Sequence, residues 1–193
     1  SGVTLRNMIL KITATDANGI ELTQASGDTI NALGGVGDPA QGFFAGLPGK
    51  LFAKINRDAN GNESVLFTEA EAIVLDNRIE PLATDLTQIN FDLVGVVSPV
   101  AVEARLIYRR APRQLVADKG WQTDGIGLPL ADIEGPDFGT LMESANTSLE
   151  VTPPTPSLFT FRITQLISDG GSEFSATPEI VQTSSAQIGR AHV

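Results

Sequence analysis

Between Val100 and Arg109 the residues alternate in character, with Val100, Val102, Ala104, Leu106 and Tyr108 on one side and Ala101, Glu103, Arg105, Ile107 and Arg109 on the other. A period of two belongs to an extended strand, whose successive side chains point to opposite faces. One face is then expected to meet a core and the other to lie largely in solvent. Such a strand needs neighbours in a sheet and a second layer over its apolar face, so an all-β architecture is the expectation.

Other segments read the same way. Val3 to Thr15, with Val3, Leu5, Asn7, Ile9 and Lys11 interleaved with Thr4, Arg6, Met8, Leu10 and Ile12, is expected to form one long strand. Asp16-Ala17-Asn18-Gly19 supplies a tight turn, because Asn-Gly tolerates positive φ, and Ile20 and Leu22 are expected to begin a return strand. A second hairpin is expected around Asp58-Ala59-Asn60-Gly61-Asn62, with Leu51, Ala53 and Ile55 before it and Val65 and Phe67 after it. Residues 26 to 50, dense in Gly, Asp, Pro and Asn, read as a long loop or irregular crossover anchored by Phe43-Phe44. Ile89, Phe91 and Leu93 mark a half-buried strand, and Leu141 to Val151 a further one. Pro112 in a first helical turn, Leu115 and Val116 facing inward, and Gly120 as a cap predict one short helix over 112–119.

Thr152-Pro153-Pro154-Thr155-Pro156 holds three prolines in five residues, which keeps the chain extended and denies it ladder donors. The expected organisation is a sandwich over 1–151, a proline-rich linker over 152–157 and a small β extension over 158–193, with strands at Leu158 to Ile167 and Glu179 to Gln187. A chain of 193 residues that is 41% hydrophobic can bury a core of this kind.

Charge and rare residues narrow the function. Thirteen Lys and Arg against 23 Asp and Glu give a formal charge of −10, which repels nucleic acid and anionic membrane surfaces. No run of 18 apolar residues is present to span a bilayer. The chain opens Ser1-Gly2 without a basic segment and apolar run, so a signal peptide is expected to be absent or already removed. Without cysteine the chain forms no disulfide, zinc thiolate site, iron–sulfur ligation or covalent c-type haem attachment. The single histidine, His192, is next to last, which leaves no usual general base, and a non-enzymatic role is the expectation.

The block Gly49-Lys50-Leu51-Phe52-Ala53-Lys54, then Asp58-Ala59-Asn60-Gly61-Asn62, Asp76-Asn77-Arg78-Ile79-Glu80-Pro81, Val102 to Ala111 and Lys119-Gly120-Trp121 are collinear. In that order they resemble the immunoglobulin-like sandwich domain that follows the haem-binding region in many multiheme c-type cytochromes, over roughly residues 1 to 150. The resemblance implies an immunoglobulin-like fold, a non-catalytic structural or docking role beside a cytochrome chain or region, and an extracytoplasmic location, whether periplasmic, cell-surface or extracellular. The chain departs from the pattern in lacking a Cys-x-x-Cys-His motif and the early strand with a His followed by a Pro-Thr-Gly turn. Haem c is therefore expected on a separate chain or in a part cut away, or the chain is a haem-free relative. The competing function is an adhesive or filament-forming module that self-assembles by adding the segment after Pro156 to a neighbour's sheet edge. A third is a carbohydrate-binding or calcium-dependent accessory domain.

Several residues are candidates for these roles. Asp58, Asn60, Asn62, Ser64 and Glu69 fall at positions 1, 3, 5, 7 and 12 of a calcium loop, while the glycine stands at position 4 instead of 6. The same residues also make a self-sufficient solvated turn. Phe43, Phe44 and Trp121 pack a core or anchor an interface. Arg109 and Arg110, with Arg113, form the basic cluster of an acidic chain, suited to haem propionates or acidic neighbours or simply to a solvated helix entrance. His192 is either a haem ligand supplied to a neighbouring chain or part of a solvated terminus.

Overall fold

The computed structural model describes residues 5–63, 65, 67–151, 158–168 and 174–183. In chain order the elements are β1 (Asn7–Thr15), β2 (Gln24–Gly27), β3 (Gly49–Phe52), β4 (Lys54–Arg57), β5 (Ala72–Asp76), β6 (Thr87–Asp92), β7 (Val100–Arg109), α1 (Arg113–Asp118), β8 (Thr140–Leu149), β9 (Leu158–Ser168) and β10 (Phe174–Thr183). Two four-stranded antiparallel sheets form, in the orders β3-β1-β7-β8 and β10-β9-β6-β2, and β4 and β5 make a separate ribbon. The expected all-β sandwich with one short helix is the observed architecture.

Apolar alternation positions the core. Leu10, Ile12 and Ala14 of β1 and Val100, Val102, Ala104 and Leu106 of β7 face Ile89 and Phe91 of β6 across the sandwich, all nearly or fully buried. Each large side chain buried this way contributes about 1.5–3 kcal/mol. β1 and β7 stay in unbroken register from Asn7↔Arg109 to Thr15↔Ala101, which holds both apolar sets on one face.

The opposite face of β7, expected in solvent, is covered along its final residues. Ile30, Leu33 and Phe44 from the long loop pack on Ile9, Leu51 and Ile107, so β1, β3 and β7 carry a core on each side. The loop reaches this position through two 3-10 turns, Ala32–Gly34 and Pro39–Gln41, started by Asn31 and Asp38. The carboxamide of Asn31 accepts the Leu33 N–H at 2.9 Å, and the carboxylate of Asp38 accepts the Ala40 N–H at 2.9 Å. Gly49 lets the loop run into β3: its φ is +145°, and a Cβ there would lie 2.0 Å from the Leu10 carbonyl oxygen.

Strand partners differ from expectation in two places. After the Asp16 turn a single bridge, Thr15↔Glu21, is made before the chain crosses to the other sheet, where β2 pairs with β6. Leu22 enters the intersheet core at 7% exposure while Ile20 stays 63% exposed, and burying Leu22 carries the chain across. The Asp58 turn is likewise followed by one bridge, Arg57↔Glu63, and the true partner of β4 is β5. Phe67 is exposed.

The region beyond the prolines joins the sandwich. β9 pairs with β6 from Thr87↔Ile163 to Asp92↔Leu158, and β10 pairs with β9, with a register shift at Thr177/Pro178. A continuous ladder therefore links the 158–183 strands to the preceding domain. The expected linker, 152–157, lies outside the described residues. Among the described residues no helix is long and apolar enough to cross a membrane.

Candidate functional site

β7 ends on Arg109, and the chain then turns through Arg110 into α1. Arg109 was expected beside Arg110 at a surface, yet it is 0% exposed. Its Nη1 donates to the Gly34 carbonyl at 3.1 Å and its Nη2 to the Gly42 carbonyl at 2.8 Å. The guanidinium carbon lies 4.6 Å from the centre of the Phe44 ring. Burial pushes the group down to about 10, opposed by the Asp132 carboxylate and reinforced by the Arg113 charge. Phe44 is also buried, meets Phe138 edge to face at 6.3 Å, and has Lys11 Nζ 4.9 Å from its ring centre. Arg109 and Phe44 therefore fasten the long loop to β7 and are withdrawn from any outside partner.

The residues around this anchor do reach the surface. The Arg113 guanidinium stacks 4.5 Å from the Phe43 ring centre, and its Nε donates to the Gln41 carbonyl at 3.0 Å. Arg110 is exposed, with its Nε 3.3 Å from Asp132 Oδ2. α1 starts after Pro112 and stops where Gly120 takes a φ of +62°, as the sequence predicts. Val116 buries the inner side of the helix against Ala111 and Leu130. Trp121 follows the cap, is 41% exposed, and borders a groove with Arg113, Val116 and Ile133. Phe43, Arg113 and Trp121 thus form an aromatic platform with one stacked cation, Glu134 lines the same groove, and Arg110 is held to one side by Asp132.

The calcium candidates resolve into a turn. Asp58 Oδ1 accepts the N–H groups of Asn60 at 2.9 Å and Asn62 at 2.8 Å, and its Oδ2 accepts Asn62 Nδ2 at 2.8 Å. Glu69 is exposed in a separate turn at residues 67–69, and Ser64 lies outside the described residues. Asp58, Asn60 and Asn62 are thereby brought together in one turn, and Glu69 is not part of it.

The same construction occurs three times among the described residues. Asp16 Oδ1 accepts the Asn18 and Ile20 N–H groups at 2.8 and 2.9 Å, and Asp124 Oδ1 accepts those of Ile126 and Leu128 at 2.9 and 3.0 Å. In each turn a glycine three residues on has positive φ: +80° at Gly19, +86° at Gly61 and +85° at Gly127. These donors hold the three carboxyls below their ordinary value, led by the Ile20 N–H at Asp16, the Asn62 side chain at Asp58 and the Leu128 N–H at Asp124. The Asp124 copy went unread in the sequence, although Asp followed three residues later by Gly signals it.

Asn77, in the motif Asp76 to Pro81, bridges the break between β3 and β4. Its Oδ1 accepts the Ala53 N–H at 2.9 Å and its Nδ2 donates to the Leu51 carbonyl at 2.7 Å. Beside it Asp76 holds Arg78 through two bonds of 2.7 and 2.6 Å. Among the described residues no group of three His, Cys, Asp or Glu is placed to hold a metal. His192 lies outside the described residues. None of the family models, curated proteins or solved structures compared with the chain matches it.

Proposed function

We propose that the chain is a non-catalytic docking domain in an extracytoplasmic electron-transfer assembly, held against a multiheme c-type cytochrome that carries the haem. The observation that carries this reading is the Arg113 guanidinium stacked on Phe43 and sharing a groove with the half-exposed Trp121, a cation among aromatics on a chain of formal charge −10. Arginine forks suit carboxylates such as haem propionates, and an exposed indole next to them anchors a partner surface. The collinear motifs of the resemblance add support.

The test is to isolate the native complex with an antibody to this chain and record its absorption spectrum with haem staining. A c-type haem protein in fixed ratio, released by the double variant Arg113→Glu/Trp121→Ala, is the expected result. A chain that purifies alone and colourless overturns the proposal and favours the second reading, a haem-free adhesive or filament module. That alternative finds support in the open ribbon edge at β5, although the strands it would donate, β9 and β10, already pair with β6 and with each other.

A further inference from the structure

Two of the chain's asparagines stand in Asn-x-Ser triplets without proline in the middle, Asn62-Glu63-Ser64 and Asn146-Thr147-Ser148. That triplet is the acceptor for N-linked glycans on proteins that leave the cytoplasm. The structure tells the two apart. Asn62 Nδ2 donates to Asp58 Oδ2 at 2.8 Å, which folds the carboxamide back onto its own turn, and Ser64 lies outside the described residues. Asn146 stands within β8, is exposed, and its carboxamide makes no hydrogen bond among the described residues.

The place of Asn146 in the sheet leaves room for a large substituent. β8 is the outermost strand of its sheet among the described residues, and it pairs with β7 in unbroken register from Val100↔Leu149 to Leu106↔Glu143. Side chains two apart on a strand share a face, so Asn146 and the hydroxyl of Ser148 point the same way, with Ser144 before them. All three are exposed. Across the ladder they stand opposite Ala101, Glu103 and Arg105, while the loop core over Ile9 and Ile107 covers the other end of β7. Thr140–Leu149 holds neither lysine nor proline, the usual means of blunting an edge, and a sugar chain at Asn146 would screen the strand's outer side.

We propose that Asn146 is an N-glycosylation site whose substrate is a lipid-linked oligosaccharide pyrophosphate. In the transfer, Asn146 Nδ2 bonds to the anomeric carbon of the first sugar, and the bond from that carbon to the pyrophosphate breaks. The lipid pyrophosphate leaves with the electron pair, and the proton lost from Nδ2 passes to a base of the transferring enzyme. Ser148 supplies the hydroxyl that this enzyme reads beside the acceptor. The inference rests on the extracytoplasmic reading above, since the transfer takes place on the far side of a membrane from the cytoplasm.

The test is the intact mass of the chain isolated from its native source, followed by peptide mapping with a fragmentation that keeps sugars attached. An intact mass above that of the sequence is expected, with the sugar located on Asn146. Expressed in the same cells, Asn146→Gln and Ser148→Ala should lose the glycan completely, and Ser148→Thr should keep it. The map of the native chain decides even where a variant fails to fold. A chain found outside the cytoplasm with the bare sequence mass overturns the site alone, and a bare chain in the cytoplasm overturns the location as well. Sugar located on a serine or threonine, or on Asn62 alone, also overturns the assignment.

Discussion

Removing the Asn77 side chain tests whether one carboxamide holds β3 to β4. In Asn77→Ala the Ala53 N–H and the Leu51 carbonyl both lose their partner, and Ala53 is 0% exposed, which bars water as a substitute. An orphaned buried polar group costs about 1–3 kcal/mol, so the pair should cost about 2–6 kcal/mol. With a urea slope on the order of 2 kcal/mol per molar, the unfolding midpoint should fall by about 1–3 M. Equilibrium urea titration followed by tryptophan fluorescence reads this directly, since the chain has one Trp. Asn77→Asp keeps an acceptor for Ala53 but sets a carboxylate against the Leu51 carbonyl, so it should recover stability only on acidification, when its O–H can donate. A loss for Asn77→Ala below about 0.5 kcal/mol, the scale of an ordinary surface change, would refute the reasoning.

The three aspartate turns make stability depend on pH. Their folded carboxyls sit below the ordinary value of 3.8, so they stabilise the fold above that pH and the contribution is lost as pH falls through their depressed values. Asp58→Asn should therefore be less stable than the parent at pH 7 and converge with it as pH falls through the depressed value of Asp58 in denaturant titrations; a gap that persists in acid contradicts the assignment. Gly49→Ala should abolish soluble folding or lower the thermal midpoint severely, because its Cβ meets backbone at 2.0 Å. Gly46→Ala, with φ of +83° and open space, should cost only about 1–2 kcal/mol. Millimolar calcium should leave the melting temperature unchanged, since Glu69 stands in a separate turn from Asp58, Asn60 and Asn62; a clear rise would support the calcium loop.

Much of the framework was legible because it is local. Alternation marked β6 and β7, Pro112 and Gly120 bracketed the helix, and the two Asp-Ala-Asn-Gly turns lie where turn chemistry puts them. What the pattern could not reveal was which strand each turn would serve. β5 is apolar on successive residues and exposed, so it carries no period, and β2 is a four-residue piece whose place depends on Leu22 entering a core built from other strands. The platform was half legible: Phe43, Arg110 and Trp121 reach the surface, while Phe44 and Arg109 do not. Arg109 is buried by carbonyls 75 and 67 residues earlier in the chain, and no neighbour in the sequence announces that a charge will be satisfied at such a distance.

The place of β9 has a consequence for how the molecule is made. β6 lies in the middle of the second sheet, with only the short β2 on one side until β9 arrives on the other. Synthesis from Asp92 to Ser168 occupies on the order of 4–15 s at ordinary elongation rates. For that interval a half-finished layer, backed by the apolar residues Ile89 and Phe91, has an unclaimed side. Maturation of the domain is thus timed by its last strands, and a nascent chain that stalls near the prolines presents β6 to whatever extended segment is at hand.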